Sequence, residues 1–435
     1  MSCCCSRKVS QDPLARSRED PSQATFTVRA GTSYARGRKI DYRILERTNG
    51  DTTSKPRAAI VFFYALGGTA DIVNIFRQLF CDNDDELAAC NREIVILCVN
   101  RPGCGKTGGQ TAEVSEDEKR ESADTEEEEL YRNRNSNIRL LQTAEDILHV
   151  LLMERIEEVH VLATCLGHPY AMAFVSQYLK RKRQPATSSK HVVKFSLRFP
   201  ICLVAPWLSV ACPQTMGLAQ IGGNTLGAES FVVQSVTWIT SAFMRVWLGY
   251  LAVMPAKTTK DFLMDGMTWW EKNDWDDEDL EAGVEGMKNF GRDALSCAHL
   301  EMQMGACSEW QERYVESVIK ELVRNGKVYG LDSEFEGTKK PVIQIFNGDC
   351  DDLILPCAIS WYTRWATDIR ETARETLLDK DENCQFMMPD GVKIVQSRQV
   401  SGSHYGLICG GGPRRDRKVL KMMLGNECWG LFEPS

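Results

Sequence analysis

The stretch Val159–Phe174, VHVLATCLGHPYAMAF, reads as a buried β-strand that turns sharply into a helix, with a cysteine at the turn. Strand and helix nearly touch at such a turn, so small side chains must flank the apex, and Ala163, Cys165 and Gly167 fill those places in a small-x-nucleophile-x-Gly pattern. Cys165 stands where a serine usually stands. The helix after it would aim its N-terminal amides at any anion formed there, and a thiol in that field is easier to ionise. Upstream, TAEDILHVLLMERIEEVHVL reads as an amphipathic helix, its apolar stripe Ala144, Ile147, Leu148, Leu151 and Leu152, leading into a β-rich strand. Helix, strand, elbow and helix make one right-handed α/β unit.

The run GHPYAMAF after Cys165 resembles the GGPYALAF that follows the nucleophile in many members of the α/β-hydrolase superfamily, with His168 in place of the second glycine. The resemblance implies a mostly parallel central sheet flanked by helices, an inserted helical lid, and a cysteine at the nucleophile position. The competing reading of Cys165 is a buried structural thiol. The family order, nucleophile then acid then histidine, points to later segments. PVIQIFNGDCDDLILP reads as a strand ended by Asn347 and Gly348 and followed by carboxylates, and it resembles the family's G-x-x-D-x-x-x-P acid turn with one extra residue. That selects Asp351, three residues after Gly348 and five before Pro356, over Asp349 and Asp352. Of the six histidines only His404 lies beyond Asp351, in the loop VSGSHYG, which resembles the family's G-x-G-H loop with Ser401 and Ser403 in the glycine places. His149, His160, His191 and His299 read as structural. His168, beside the nucleophile, is expected to perturb the Cys165 thiol or to line an acyl pocket.

AAIVFFYALGGTADIVNIF reads as an apolar strand, a Gly-rich turn and an amphipathic helix. Where the family carries His-Gly this chain has Tyr64 and Ala65, then Leu66, Gly67 and Gly68; by resemblance the amides of Leu66 and Leu166 form the oxyanion hole. Asn100–Gly108, NRPGCGKTG, imitates a phosphate-binding loop, but the glycine due five positions before the Gly of Gly-Lys-Thr is Asn100. The next stretch, GGQTAEVSEDEKRESADTEEEE, is too polar to bury a helix face, so no nucleotide is expected. The same NRPGCGKT residues resemble the hydrolase turn D-R-P-G-x-G-x-S.

A chain of 435 residues, 43% hydrophobic and 26% charged, can build one large α/β core with an insertion. The expected division is a Cys-rich tail over 1–24, a first core part over 25–206 with an acidic loop over 108–135, a helical lid over 207–335, and a second core part over 336–435. Much of the net charge of -8 lies in the acidic loop, and without a basic stripe interleaved with aromatics nucleic-acid binding is not expected. Seventeen cysteines, an odd number, without an apolar leader point to a reducing, cytoplasmic setting rather than secretion. No Cys-x-x-Cys or His-x-x-x-His pair occurs, and neither metal nor other cofactor is implied. Cys3, Cys4 and Cys5 precede basic residues and admit S-acylation and peripheral membrane contact, against a disordered thiol-rich tail.

Between the strand FPICLVAPWL and the acid strand, Val232–Met254 is apolar over most of its length, but Gln234, Arg245 and hydroxyl residues argue against a membrane span. A buried or pocket-lining lid helix is expected, with Trp238, Phe243, Trp247 and Tyr250 over the elbow; the pocket candidates are Tyr64, His168, Trp238 and Trp247. The implied reaction is hydrolysis of an ester or thioester, with a lipophilic acyl group favoured: His404 deprotonates Cys165, Asp351 orients the imidazolium, and the thiolate attacks the carbonyl. Dienelactone-hydrolase-like relatives use a cysteine in this way. The alternatives are a catalytically inactive binding scaffold and, less favoured, an acyltransferase.

Overall fold

The computed structural model describes residues 26–48, 55–65, 68–108, 135–183, 194–208, 310–329, 340–349, 351, 354–380 and 392–402, with further positions between 239 and 301, at 331, and between 419 and 431. Cys3, Cys4, Cys5, Leu66, Trp238, Trp247, Asp352 and His404 lie outside the described residues, as does most of the acidic loop.

Phe26–Ala35 (β1) and Arg38–Arg47 (β2) form an antiparallel hairpin. Arg36 and Gly37 between them both take positive φ, 51° and 70°, as a two-residue turn must if it is to match the right-handed twist of its strands. β2 then pairs antiparallel with Glu93–Val99 (β4). The remaining strands run parallel: Arg57–Phe63 (β3), Glu158–Thr164 (β5), Ser196–Val204 (β6), Pro341–Gly348 (β7) and Lys393–Val400 (β8). The eight strands make one sheet in the order β1-β2-β4-β3-β5-β6-β7-β8. Its parallel part carries the C-terminal ends of β3 to β8 to one edge, where ligands of α/β sheets sit.

Covering both faces of a parallel sheet requires strands that are apolar on both sides. Ala59, Val61 and Phe63 of β3 face one apolar cluster with Val159, Val161 and Ala163 of β5; Ala58, Ile60 and Phe62 face the other. The first cluster is closed by helices Asn135–Met153 (α1), Gly167–Arg183 (α2), Ser317–Asn325 (α3) and Pro356–Lys380 (α4). α3, within the interval assigned to a lid, buries Val318, Ile319, Leu322 and Val323 in this main core. The second cluster is closed by the 3-10 turn Ala70–Phe76, the short helices Arg77–Asp82 and Asp84–Ala89, and the C-terminal residues Val419, Met423, Leu424 and Trp429. The amphipathic helix expected after the Gly-rich loop thus opens as a 3-10 segment.

Two apolar stretches differ from expectation. Leu152 is 42% exposed although the α1 stripe includes it, because it continues the outward face of Leu141, Glu145 and His149, while Val150 and Leu151 are buried. In the stretch Val232–Met254, expected as a buried or pocket-lining helix, the described residues Ile239, Val246, Tyr250 and Val253 are exposed while Met254 is buried. Among the described residues no helix is long and apolar enough to cross a membrane.

Candidate active site

Cys165 follows β5 at the C-terminal edge with φ +46°, a left-handed conformation that costs a non-glycine residue about 1–2 kcal/mol. The strain is held in place by backbone contacts. The Cys165 N–H donates to the Val204 carbonyl at 3.1 Å, and the Cys165 carbonyl accepts from His168 N–H at 3.0 Å and Trp207 N–H at 2.9 Å. Gly167 is required at the start of α2, since a Cβ there would lie 2.1 Å from the Phe63 carbonyl oxygen and 2.9 Å from that of Tyr64. The first turn of α2 is therefore pressed against the end of β3, where the Gly-rich loop begins. Leu166 lies buried between Cys165 and that glycine.

That loop is anchored on its far side as well. Gly68 N–H donates to the Ala65 carbonyl at 3.3 Å, and Ala70 N–H to the Asn100 side-chain oxygen at 2.6 Å. Asn100 Nδ2 donates in turn to Asp41 at 2.7 Å. In the P-loop look-alike, the Thr107 hydroxyl accepts the Asp41 N–H at 2.9 Å, so it pins the turn to β2. Tyr64 is buried; its ring lies 4.2 Å from the Arg101 guanidinium and its hydroxyl accepts the Arg101 N–H at 2.9 Å. Burial pushes the Tyr64 phenol well above its usual pKa.

His168 is fully enclosed. Its Nδ1 lies 2.8 Å from the Trp207 carbonyl, which can only accept, so Nδ1 carries the proton and Nε2 accepts from the Tyr362 hydroxyl at 3.2 Å. Edge contacts with Trp310 and Tyr362 complete its surroundings, and burial lowers its pKa to about 4. At neutral pH it is an uncharged tie between the elbow, the loop after β6 and α4.

Asp351 follows β7 and is buried, its Oδ1 accepting Ile354 N–H at 2.7 Å. Asp349 turns the other way: its carboxylate accepts the Gly402 N–H at 2.9 Å and its own N–H donates to Val400 at 3.0 Å. The acid turn is thereby fixed against the end of β8, two residues before His404. Among the described residues no cluster of His, Cys, Asp or Glu could hold a metal ion.

Sequence reasoning misses a buried ionic cluster beneath the Gly-rich loop. Arg101, Arg139 and Glu301 are almost wholly buried, with Arg101–Glu301 at 2.9 Å and Arg139–Glu301 at 3.3 Å. The arginine of the N-R-P-G turn is a visible signal, but its partner lies in a segment without a motif.

A strained residue at the end of β5, a helix starting against the next strand, and an acid turn abutting the end of β8 are features of one architecture. The fold is that of an α/β hydrolase. No protein-family model and no curated protein sequence matches the chain significantly. Solved structures similar to it include the enol-lactonase from Burkholderia xenovorans LB400, at 9% identity over 87% of this chain and 94% of that chain with a TM-score of 0.43. A haloalkane dehalogenase loop variant (DbeA-M1) from Bradyrhizobium elkanii is similar at 10% identity over 92% and 98%, with a TM-score of 0.46. The Cif epoxide hydrolase from Acinetobacter nosocomialis is similar at 12% identity over 92% and 88%, with a TM-score of 0.45. At such identities the strand order and the elbow, rather than these likenesses, define the fold.

Proposed function

We propose that the chain is a hydrolase that cleaves an ester or thioester through Cys165, Asp351 and His404. The observation that carries the reading is the backbone of Cys165, held at φ +46° on top of β5 by the packing of Gly167 against Phe63. Such strain persists only where the surroundings enforce it, and it clusters at functional sites. His404 takes the thiol proton, and the thiolate attacks the acyl carbonyl. The amides of Leu66 and Leu166 hold the oxyanion, and the departing alcohol or thiol takes the proton from His404. Water, activated by the same imidazole, then releases the acid, while Asp351 steadies the imidazolium. An acceptor other than water would make the same intermediate an acyl donor. The apolar stretch over Val232–Met254 favours a lipophilic acyl group.

A second reading, a binding scaffold without turnover, draws on the burial of Cys165, whose exposure is 5%. Alkylation of Cys165 by iodoacetamide as a function of pH, followed by peptide mass spectrometry in the wild type and His404→Ala, separates the two. Fast labelling near neutral pH that falls at least about tenfold in His404→Ala, with turnover of p-nitrophenyl or acetyl-thioester substrates, is the expected result. Slow labelling indifferent to the substitution overturns the enzyme reading in favour of the scaffold.

A further inference from the structure

The Tyr64 carbonyl, the last backbone group before the Gly-rich loop, is gripped from two sides. On one side lies Gly167 of the elbow helix. On the other, Arg101 donates from Nη2 to the same oxygen, while its guanidinium is stacked between the rings of Tyr64, at 4.2 Å, and Tyr170, at 4.1 Å. Tyr170 belongs to α2, five residues after Cys165. Arg101 thus joins the Gly-rich loop to the elbow helix through a guanidinium that lies over both aromatic rings.

A buried guanidinium needs a counter-charge. It comes from Glu301, in the chain between β6 and β7, which is wholly buried. The same carboxylate faces Arg139 of α1, whose Nε donates to the Tyr170 hydroxyl at 3.0 Å and whose Nη1 donates to the Pro102 carbonyl. With Glu301 withdrawn, two arginines would remain buried without it, and Arg101 would lose the charge that holds it beneath Tyr64.

We propose that Glu301 is a positioning residue for the oxyanion loop, acting through Arg101 on the Tyr64 carbonyl. The inference rests on the hydrolase reading for its catalytic consequence but not for its structural one. Glu301→Gln keeps the shape and removes the charge; Arg101→Lys keeps the charge and removes the stacked fork. Each variant disturbs a buried ion pair and should lower the unfolding midpoint, so exchange is read at a temperature where the strands of both variants remain protected, and Ile319→Val in α3 supplies a destabilised control remote from the loop.

Hydrogen exchange at the loop amides, above all Gly68 and Ala70, is the deciding measurement. In both variants exchange across residues 64–70 should accelerate at least about tenfold relative to the control, with the strands retaining their protection. On a short-chain thioester kcat should fall about 100-fold, the scale of a lost oxyanion donor, with KM within about twofold. Loop exchange unchanged from the control overturns the positioning role whatever the kinetics. A wild type without turnover on short- and long-chain esters and thioesters defeats the hydrolase reading and leaves the exchange test in force.

Discussion

A methyl group on Gly348 would lie 2.2 Å from the Gly402 carbonyl oxygen, so the ends of β7 and β8 meet backbone to backbone. Asp349 completes the junction by accepting the Gly402 N–H. Asp351 leaves one side of this contact and the chain toward His404 leaves the other, which makes Gly348 the spacer on which an acid-histidine pair would depend.

Gly348→Ala should therefore push the two strand ends apart. The colliding atom is a carbonyl oxygen with no rotamer in which to retreat. A displacement of about 1 Å is enough to lower kcat/KM on an active ester about 100-fold. Activity measured beside the unfolding midpoint checks this: turnover should fall far more than the loss of stability explains.

Gly167→Ala meets two carbonyl oxygens at once, those of Phe63 and Tyr64. Overpacking at fixed backbone should cost about 3 kcal/mol or more in urea unfolding. A midpoint within error of wild type would mean that α2 and β3 are not tightly apposed in solution.

At Cys165 the left-handed backbone gives an opposite ranking from ordinary buried sites. Cys165→Gly should be more stable than Cys165→Ala by about 1 kcal/mol, because only glycine adopts φ +46° without a Cβ clash. Both should lack turnover. Thermal unfolding of the pair checks the order, and alanine ahead of glycine would contradict the strained elbow.

His168 should make stability sensitive to mild acid. Burial lowers its folded pKa to about 4, below the ordinary 6.5, so the unfolded chain binds the proton first. The contribution is present above pH 6.5 and is lost as pH falls toward 4, up to about 3 kcal/mol at 1.36 kcal/mol per unit. In His168→Phe this part of the acid dependence should vanish, so wild type and variant should converge in stability between pH 6.5 and 4. Parallel curves would show that His168 titrates normally.

The elbow is legible in the sequence because its requirement is local: Gly167 must be glycine where a helix starts against a strand, and that demand falls within a few residues of Cys165. The polar turn after Gly348 is legible for the same reason. Leu152 escapes such reading because periodicity defines a stripe without defining how wide a face the neighbouring elements cover, and Leu152 lies at its margin. Tyr64 and His168 stand out by position, yet nothing local announces that Tyr64 stacks on Arg101 or that His168 spans Trp207 and Tyr362.

By itself, then, the sequence determined the alternation of strands and helices and the cysteine at the apex after β5, since each depends on side-chain period or on the backbone freedom of one or two residues; the choice of an acid and a histidine after it followed from the family resemblance. Only the tertiary structure decided that Gly348 abuts Gly402, that His168, three residues after Cys165, is sealed in its neutral form, and that Glu301 meets Arg101 and Arg139 from a distant part of the chain. Those relationships depend on burial and on partners far apart in sequence, and a charge acquires its partner only when the chain folds and removes both from water.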